Sequence, residues 1–63
     1  LEEIFYSALE TMPENQRTAI LLYKQQELTY EEIAAAMDAG VPAVKTWIFR
    51  ARTALREALR NAR

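Results

Sequence analysis

Helix start and stop signals between Leu28 and Arg60 leave this chain little choice of fold. Thr29-Tyr30-Glu31-Glu32 has the form of a capping box: the Thr29 hydroxyl can accept from the Glu32 N–H while the Glu32 carboxylate reaches back. Ile33, Ala34 and Met37 then supply the inward stripe of a short helix. Asp38-Ala39-Gly40 is the turn. Asp tolerates the left-handed backbone that ends a helix, Gly40 suits the next N-cap, and Pro42 fits the first turn beyond it. No breaker follows before Arg63. A short capped helix, a tight turn and a longer basic helix make a helix-turn-helix over about residues 29–60, the arrangement that sets side chains into a DNA major groove.

The upstream residues read as support for that unit. Leu1, Ile4, Phe5, Ala8 and Leu9 recur at helical spacing, with Glu2, Glu3 and Glu10 on the other side. A second helix is predicted from about Pro13 to Gln26, with Pro13 at its first position and Thr11 or Met12 in the cap region. Ala19, Ile20, Leu22 and Tyr23 form its apolar face, and Leu28 is expected to be buried in the connection. In the last helix the inward stripe is Val44, Ile48, Ala51, Leu55, Ala58 or Leu59, and Ala62. Lys45, Phe49, Arg52 and Arg56 share one outer face, flanked by Thr46, Arg50 and Thr53. Small side chains at Ala34, Ala35 and Ala36 are expected to let the third and fourth helices cross at close range. The fold expected is all-α: one domain, residues 1–63, a small bundle of about four helices. Its three-helix core is of the homeodomain-like or winged-helix-like kind.

Sixty-three residues without Cys or His exclude disulfides, thiolate and imidazole chemistry and ordinary zinc sites. No metal or cofactor is expected, and no acid, base and nucleophile constellation can be assembled, so the chain is not read as an enzyme. Adjacent Glu31 and Glu32 face different directions on a helix, and Glu32 is already engaged by the cap. No apolar run reaches bilayer length, and no signal-peptide layout is visible. The sequence begins without an initiator Met, which leads us to expect a fragment of a longer protein.

The net charge of −1 conceals a split. Residues 1–44 carry two basic side chains against eight acidic ones, whereas residues 45–63 carry six against one. Affinity for nucleic acid depends on where charge lies, so the basic third can meet phosphates while the acidic part faces away. A basic stripe alone would be no more than a solvated face. Phe49 amid Lys45, Arg50 and Arg52 argues for more, because solvation gives no reason to expose an aromatic there. Trp47 suits either the core edge against the third helix or a phosphate contact through its N–H, with the core edge the better fit. Tyr30 suits packing or a phosphate contact through the phenol and the backbone N–H groups at its helix start. Leu1, Ile4, Phe5 and Leu9, with Leu21 and Leu22, exceed what so small an interior readily hides. That leaves both plain packing and a partner groove open.

Three segments carry a family resemblance: Met12-Pro13-Glu14-Asn15-Gln16-Arg17-Thr18-Ala19-Ile20-Leu21-Leu22, Leu28 through Ala34, and Val44 through Arg52. In that order and at those separations they resemble the C-terminal promoter-binding domain (region 4) of bacterial sigma factors, of the extracytoplasmic-function group, over about residues 9 to 60. The resemblance implies a cytoplasmic domain that recognises the −35 promoter element of double-stranded DNA as part of the RNA polymerase holoenzyme. It implies that the first helices hold the flap-tip helix of the polymerase β subunit, and that anti-sigma factors compete for the same surfaces. Under it Lys45, Thr46, Phe49 and Arg50 match base-reading positions, Arg52 matches a phosphate-binding arginine, and Tyr30 matches an aromatic near the DNA backbone. We add Arg56 and Lys24 as further phosphate contacts. Ile4, Phe5, Leu9, Leu21 and Leu22 are the expected partner-binding residues. The sequence departs from the family pattern at Trp47, where Arg is usual, and at Tyr23, where a basic residue is common. Asp38 and Glu27 replace glycines, and Pro42-Ala43 replaces a frequent Gly-Thr.

Two readings of other classes compete. A response-regulator output domain would dimerise through its last helix, a face that Arg56, Arg60 and Arg63 make poor. A sigma domain should instead be a monomer. A protein-interaction module that has lost DNA binding is the other, and the departures at Trp47, Tyr23 and Pro42 are its support.

Overall fold

In the computed structural model residues 2–61 are described, and they form α1 (Glu2–Thr11), α2 (Glu14–Lys24), α3 (Tyr30–Met37) and α4 (Val41–Asn61). Among the described residues there is no strand. The all-α fold with its helix-turn-helix is as the sequence signals require. α4 packs against each of the other three helices and α2 also packs against α3, so α4 is the spine of the domain.

The core is small and almost wholly aliphatic: Ile20, Ile33, Val44 and Ile48 are its largest fully buried side chains, with Ala8, Leu9, Met12, Ala19, Ala34 and Ala51 filling between them. No polar or charged residue among those described is buried. Burial of side chains of this size contributes about 1.5–3 kcal/mol each, the main term available to so short a chain.

Local signals account for the helix ends. The capping box forms in full: Glu32 N–H donates to Thr29 Oγ1 at 3.1 Å, and Thr29 N–H donates to Glu32 Oε1 at 2.8 Å. α3 ends in a Schellman motif. Ala39 N–H donates to the Ala34 carbonyl at 2.9 Å and Asp38 N–H to that of Ala35 at 3.3 Å, with Asp38 left-handed at φ 54°. Gly40 then receives Val44 N–H at 3.1 Å, as an N-cap should.

Three expectations need correction, and one open alternative is resolved. Pro13 is the N-cap of α2 rather than its first residue, with ψ 150°, and the Thr11 hydroxyl turns back to the Ala8 carbonyl instead of capping α2. α2 stops at Lys24 rather than Gln26, because Glu27 takes a left-handed φ of 58° and Leu28 N–H returns to the Leu22 carbonyl. Of the three alanines, only Ala34 is buried; Ala35 and Ala36 are exposed, so one small residue makes the close approach. Of the alternatives at the end of the inward stripe, Ala58 packs on the core while Leu59 is exposed. Leu1, Ala62 and Arg63 lie outside the described residues.

The chain's one glycine is not at either left-handed position. Both non-glycine residues there carry the steric cost of the left-handed region, about 1–2 kcal/mol for most side chains and less for Asp. Glu27→Gly is therefore expected to raise stability by about 0.5–1 kcal/mol after the backbone entropy of glycine is subtracted, and Asp38→Gly by less. Urea unfolding checks this, and a loss of stability in Glu27→Gly would mean that the Glu27 side chain contributes more than its backbone costs.

Candidate nucleic-acid interface

The basic face follows from α4's register. At about 100° per residue, Lys45, Phe49, Arg52 and Arg56 fall within about a 60° arc, and all four are exposed, on a face turned by about 100° from the buried Val44, Ile48 and Ala51. Phe49 is 69% exposed, the most open of the exposed large apolar side chains. Thr46 and Arg50 are also exposed, so the four candidate base-reading residues share the N-terminal half of α4 and none serves the core. The Thr46 hydroxyl donates to the Pro42 carbonyl at 3.1 Å, leaving its lone pairs and methyl group outward. Thr53 donates likewise to Phe49 at 3.0 Å.

No carboxylate among the described residues pairs with these cations. Among the described residues the one ion pair is Arg60–Glu57 at 3.7 Å, on the tail of α4. Lys45, Arg50, Arg52 and Arg56 have no carboxylate partner there and so are available to phosphates.

Two cations are instead held by rings. Tyr30 opens α3 and stacks on Tyr23 from the last turn of α2, with centroids 5.5 Å apart and planes tilted by 33°. Lys45 Nζ lies over the Tyr30 ring at 6.0 Å from its centroid, and Arg52 Cζ over the Tyr23 ring at 5.4 Å. The sequence shows Tyr23 as part of an apolar face and as a departure from the family pattern but not its pairing with Tyr30, because nothing in helical spacing pairs residues across the α2–α3 connection. The capping box engages the Thr29 and Glu32 N–H groups and sets the carboxylates of Glu31 and Glu32 on that turn, which favours the phenol as Tyr30's route to a phosphate. Trp47 is half-buried on the core edge.

Lys24, on the last turn of α2, is exposed. It borders an open groove of about 550 Å³ lined by Ile4, Phe5, Tyr6, Gln25, Leu55 and Leu59. Of the expected partner-binding residues, Ile4 and Phe5 line this groove, and Leu21 and Leu22 are half-buried. Leu9 is 4% exposed and belongs to the core, so it offers no surface. Tyr6 and Leu59, 52% and 48% exposed, are the groove's open apolar walls and were not anticipated. α1 and the distal part of α4 meet there, a contact between sequence ends that periodicity cannot reveal. No described helix is long and apolar enough to cross a membrane.

A capped support helix, a left-handed turn and a helix with an exposed basic and aromatic N-terminal half define a helix-turn-helix domain of the DNA-binding type. The family model described as "Sigma-70, region 4" matches residues 2–55, and the chain belongs to that family. The match starts earlier and ends sooner than the span of about residues 9 to 60 over which the sequence carries the resemblance. The chain is 47% identical over 55 residues to the "ECF RNA polymerase sigma-E factor" of Escherichia coli K12 and to that of Salmonella typhimurium LT2, covering 87% of this chain and 29% of each relative. It is 44% identical over 52 residues to the protein of the same name from Haemophilus influenzae, covering 82% of this chain and 28% of that one. The chain thus spans less than a third of the length of these relatives.

Proposed function

We propose that this domain recognises the −35 element of promoter DNA within an RNA polymerase holoenzyme, in the cytoplasm, without catalysis or cofactor. The observation that carries the reading is the N-terminal half of α4, where Lys45, Thr46, Phe49 and Arg50 all stand exposed and none is required by the core. Arg50 can pair bidentately with a guanine, and Phe49 offers apolar contact to a thymine methyl or base edge. Arg52, Arg56 and the Tyr30 phenol hold phosphates. Lys24, bordering the groove, has a weaker claim to the DNA than the cations of α4.

The groove between α1 and α4 supports a second role beside the first: docking of the polymerase β flap, or of an anti-sigma factor, against Ile4 and Phe5, with Leu21 and Leu22 as further partner-binding residues. The domain is a monomer in this reading. Sedimentation at micromolar concentration tests that, and a dimer would favour the response-regulator alternative.

Fluorescence anisotropy on a duplex carrying a GGAAC-type −35 element and on a scrambled duplex, at two salt concentrations, tests the main reading. Tighter binding to the element, steeply weakened by salt, is the expected result. Equal binding to both would leave polymerase and anti-sigma contacts as the chief function.

A further inference from the structure

The geometry points to Tyr23 as a positioning residue that holds Arg52 in place for a DNA phosphate, with Tyr30 coupling it to Lys45 in one four-residue array. This rests on the DNA-binding reading above. The array runs Lys45, Tyr30, Tyr23, Arg52: a cation over each ring, and the rings 5.5 Å apart between them. Its two cations lie seven residues apart on α4, about 10 Å along the axis. Its two rings come from α2 and from the capped start of α3. Two helices therefore fix the platform on which the α4 cations rest.

A ring and a carboxylate hold a cation with opposite consequences. A carboxylate competes with phosphate for the cation, as Glu57 does at Arg60 from 3.7 Å. An aromatic face attracts the cation through its quadrupole and leaves the charge intact. The distinction matters most for arginine. Its five N–H donors lie in the guanidinium plane, so contact with a ring at one face leaves them free for phosphate oxygens. Among the described residues Arg52 has no carboxylate partner and no side-chain hydrogen bond, so Tyr23 is what orients it. Rotamer freedom that a long side chain surrenders on binding is already restricted before DNA arrives.

The test is a double-mutant cycle read by anisotropy on the −35-element duplex. Tyr23→Leu is expected to weaken binding about two- to fivefold, the range of an exposed cation–π contact. Tyr23→Phe, which keeps the ring and loses the hydroxyl, should bind as the parent does. In an Arg52→Ala background Tyr23→Leu should have no effect, and this coupling separates positioning from a general loss of packing. Should Tyr23→Leu fail to fold, Tyr23→Met takes its place in the cycle. The upfield ring-current shift of the Arg52 δ-methylene protons reports the contact without DNA. Equal losses with and without Arg52, or tighter binding when the ring is removed, would overturn the positioning role while leaving DNA recognition standing. If the parent protein binds neither duplex, the functional reading fails and this inference fails with it.

Discussion

Replacing Ile48 with alanine is expected to remove much of this domain's stability, while Phe49→Ala, one residue along, is expected to leave stability unchanged and weaken DNA binding. Ile48 is 2% exposed and lies on the face of α4 that meets the other three helices. Truncating a buried Ile to Ala costs about 2–5 kcal/mol, from lost transfer energy and the cavity left behind. A chain of 63 residues has roughly 3–9 kcal/mol of total stability, so the variant should lose about half of it or more. Phe49 is 69% exposed, and truncating a side chain there should move stability by no more than about 0.5 kcal/mol. Urea unfolding of both variants, followed by anisotropy on Phe49→Ala, checks the pair. A Phe49→Ala variant that unfolds early would place Phe49 in the packing. One that binds DNA as the parent does would remove it from the interface.

This contrast was legible in the sequence because a helix sorts neighbours by about 100°, and Val44, Ile48 and Ala51 against Lys45, Phe49 and Arg52 is a clean division. The capping box and the left-handed Asp38 were legible for the same reason: each is settled within four or five residues of chain. The structure adds what such short range cannot contain. Tyr23 meets Tyr30 across the α2–α3 connection, and Ile4 and Phe5 meet Leu55 and Leu59 from opposite ends of the chain. Leu9 looked like surplus apolar surface because its partners lie in helices the pattern could not orient, and it is core. Only the likeness to a family in which position 27 is glycine hinted at the strained Glu27; no property of the residue itself did.

These long-range contacts also suggest how the domain divides its work. Because α4 touches every other helix, the proposed DNA face at its start and the apolar groove at its end share one rigid element. A partner in the groove would meet α1 and the distal turns, and DNA would meet the proximal ones. Simultaneous binding is therefore open to the domain. Its affinity for DNA alone should be modest, since a second contact supplied by a larger assembly raises the effective concentration of the first.

Arg50→Ala and Arg56→Ala are expected to weaken DNA binding in different ways, and the difference identifies which part of α4 enters the groove. Arg50 lies in the N-terminal half of α4, exposed and without a carboxylate partner among the described residues. If it reads a guanine, its loss costs about 1–3 kcal/mol on the −35-element duplex and little on a scrambled one, so sequence preference relaxes at one base pair. Arg56 is equally exposed but lies nearly two turns further along the helix, beyond the reach expected of a base-reading residue. Its loss should weaken both duplexes alike and reduce the slope of log affinity against log salt by about one. Equal losses on both duplexes for Arg50→Ala would reassign that residue to a phosphate. An unchanged salt slope for Arg56→Ala would confine the contact to residues 41–52 of α4, leaving Arg52 as the last cation on that face to touch DNA.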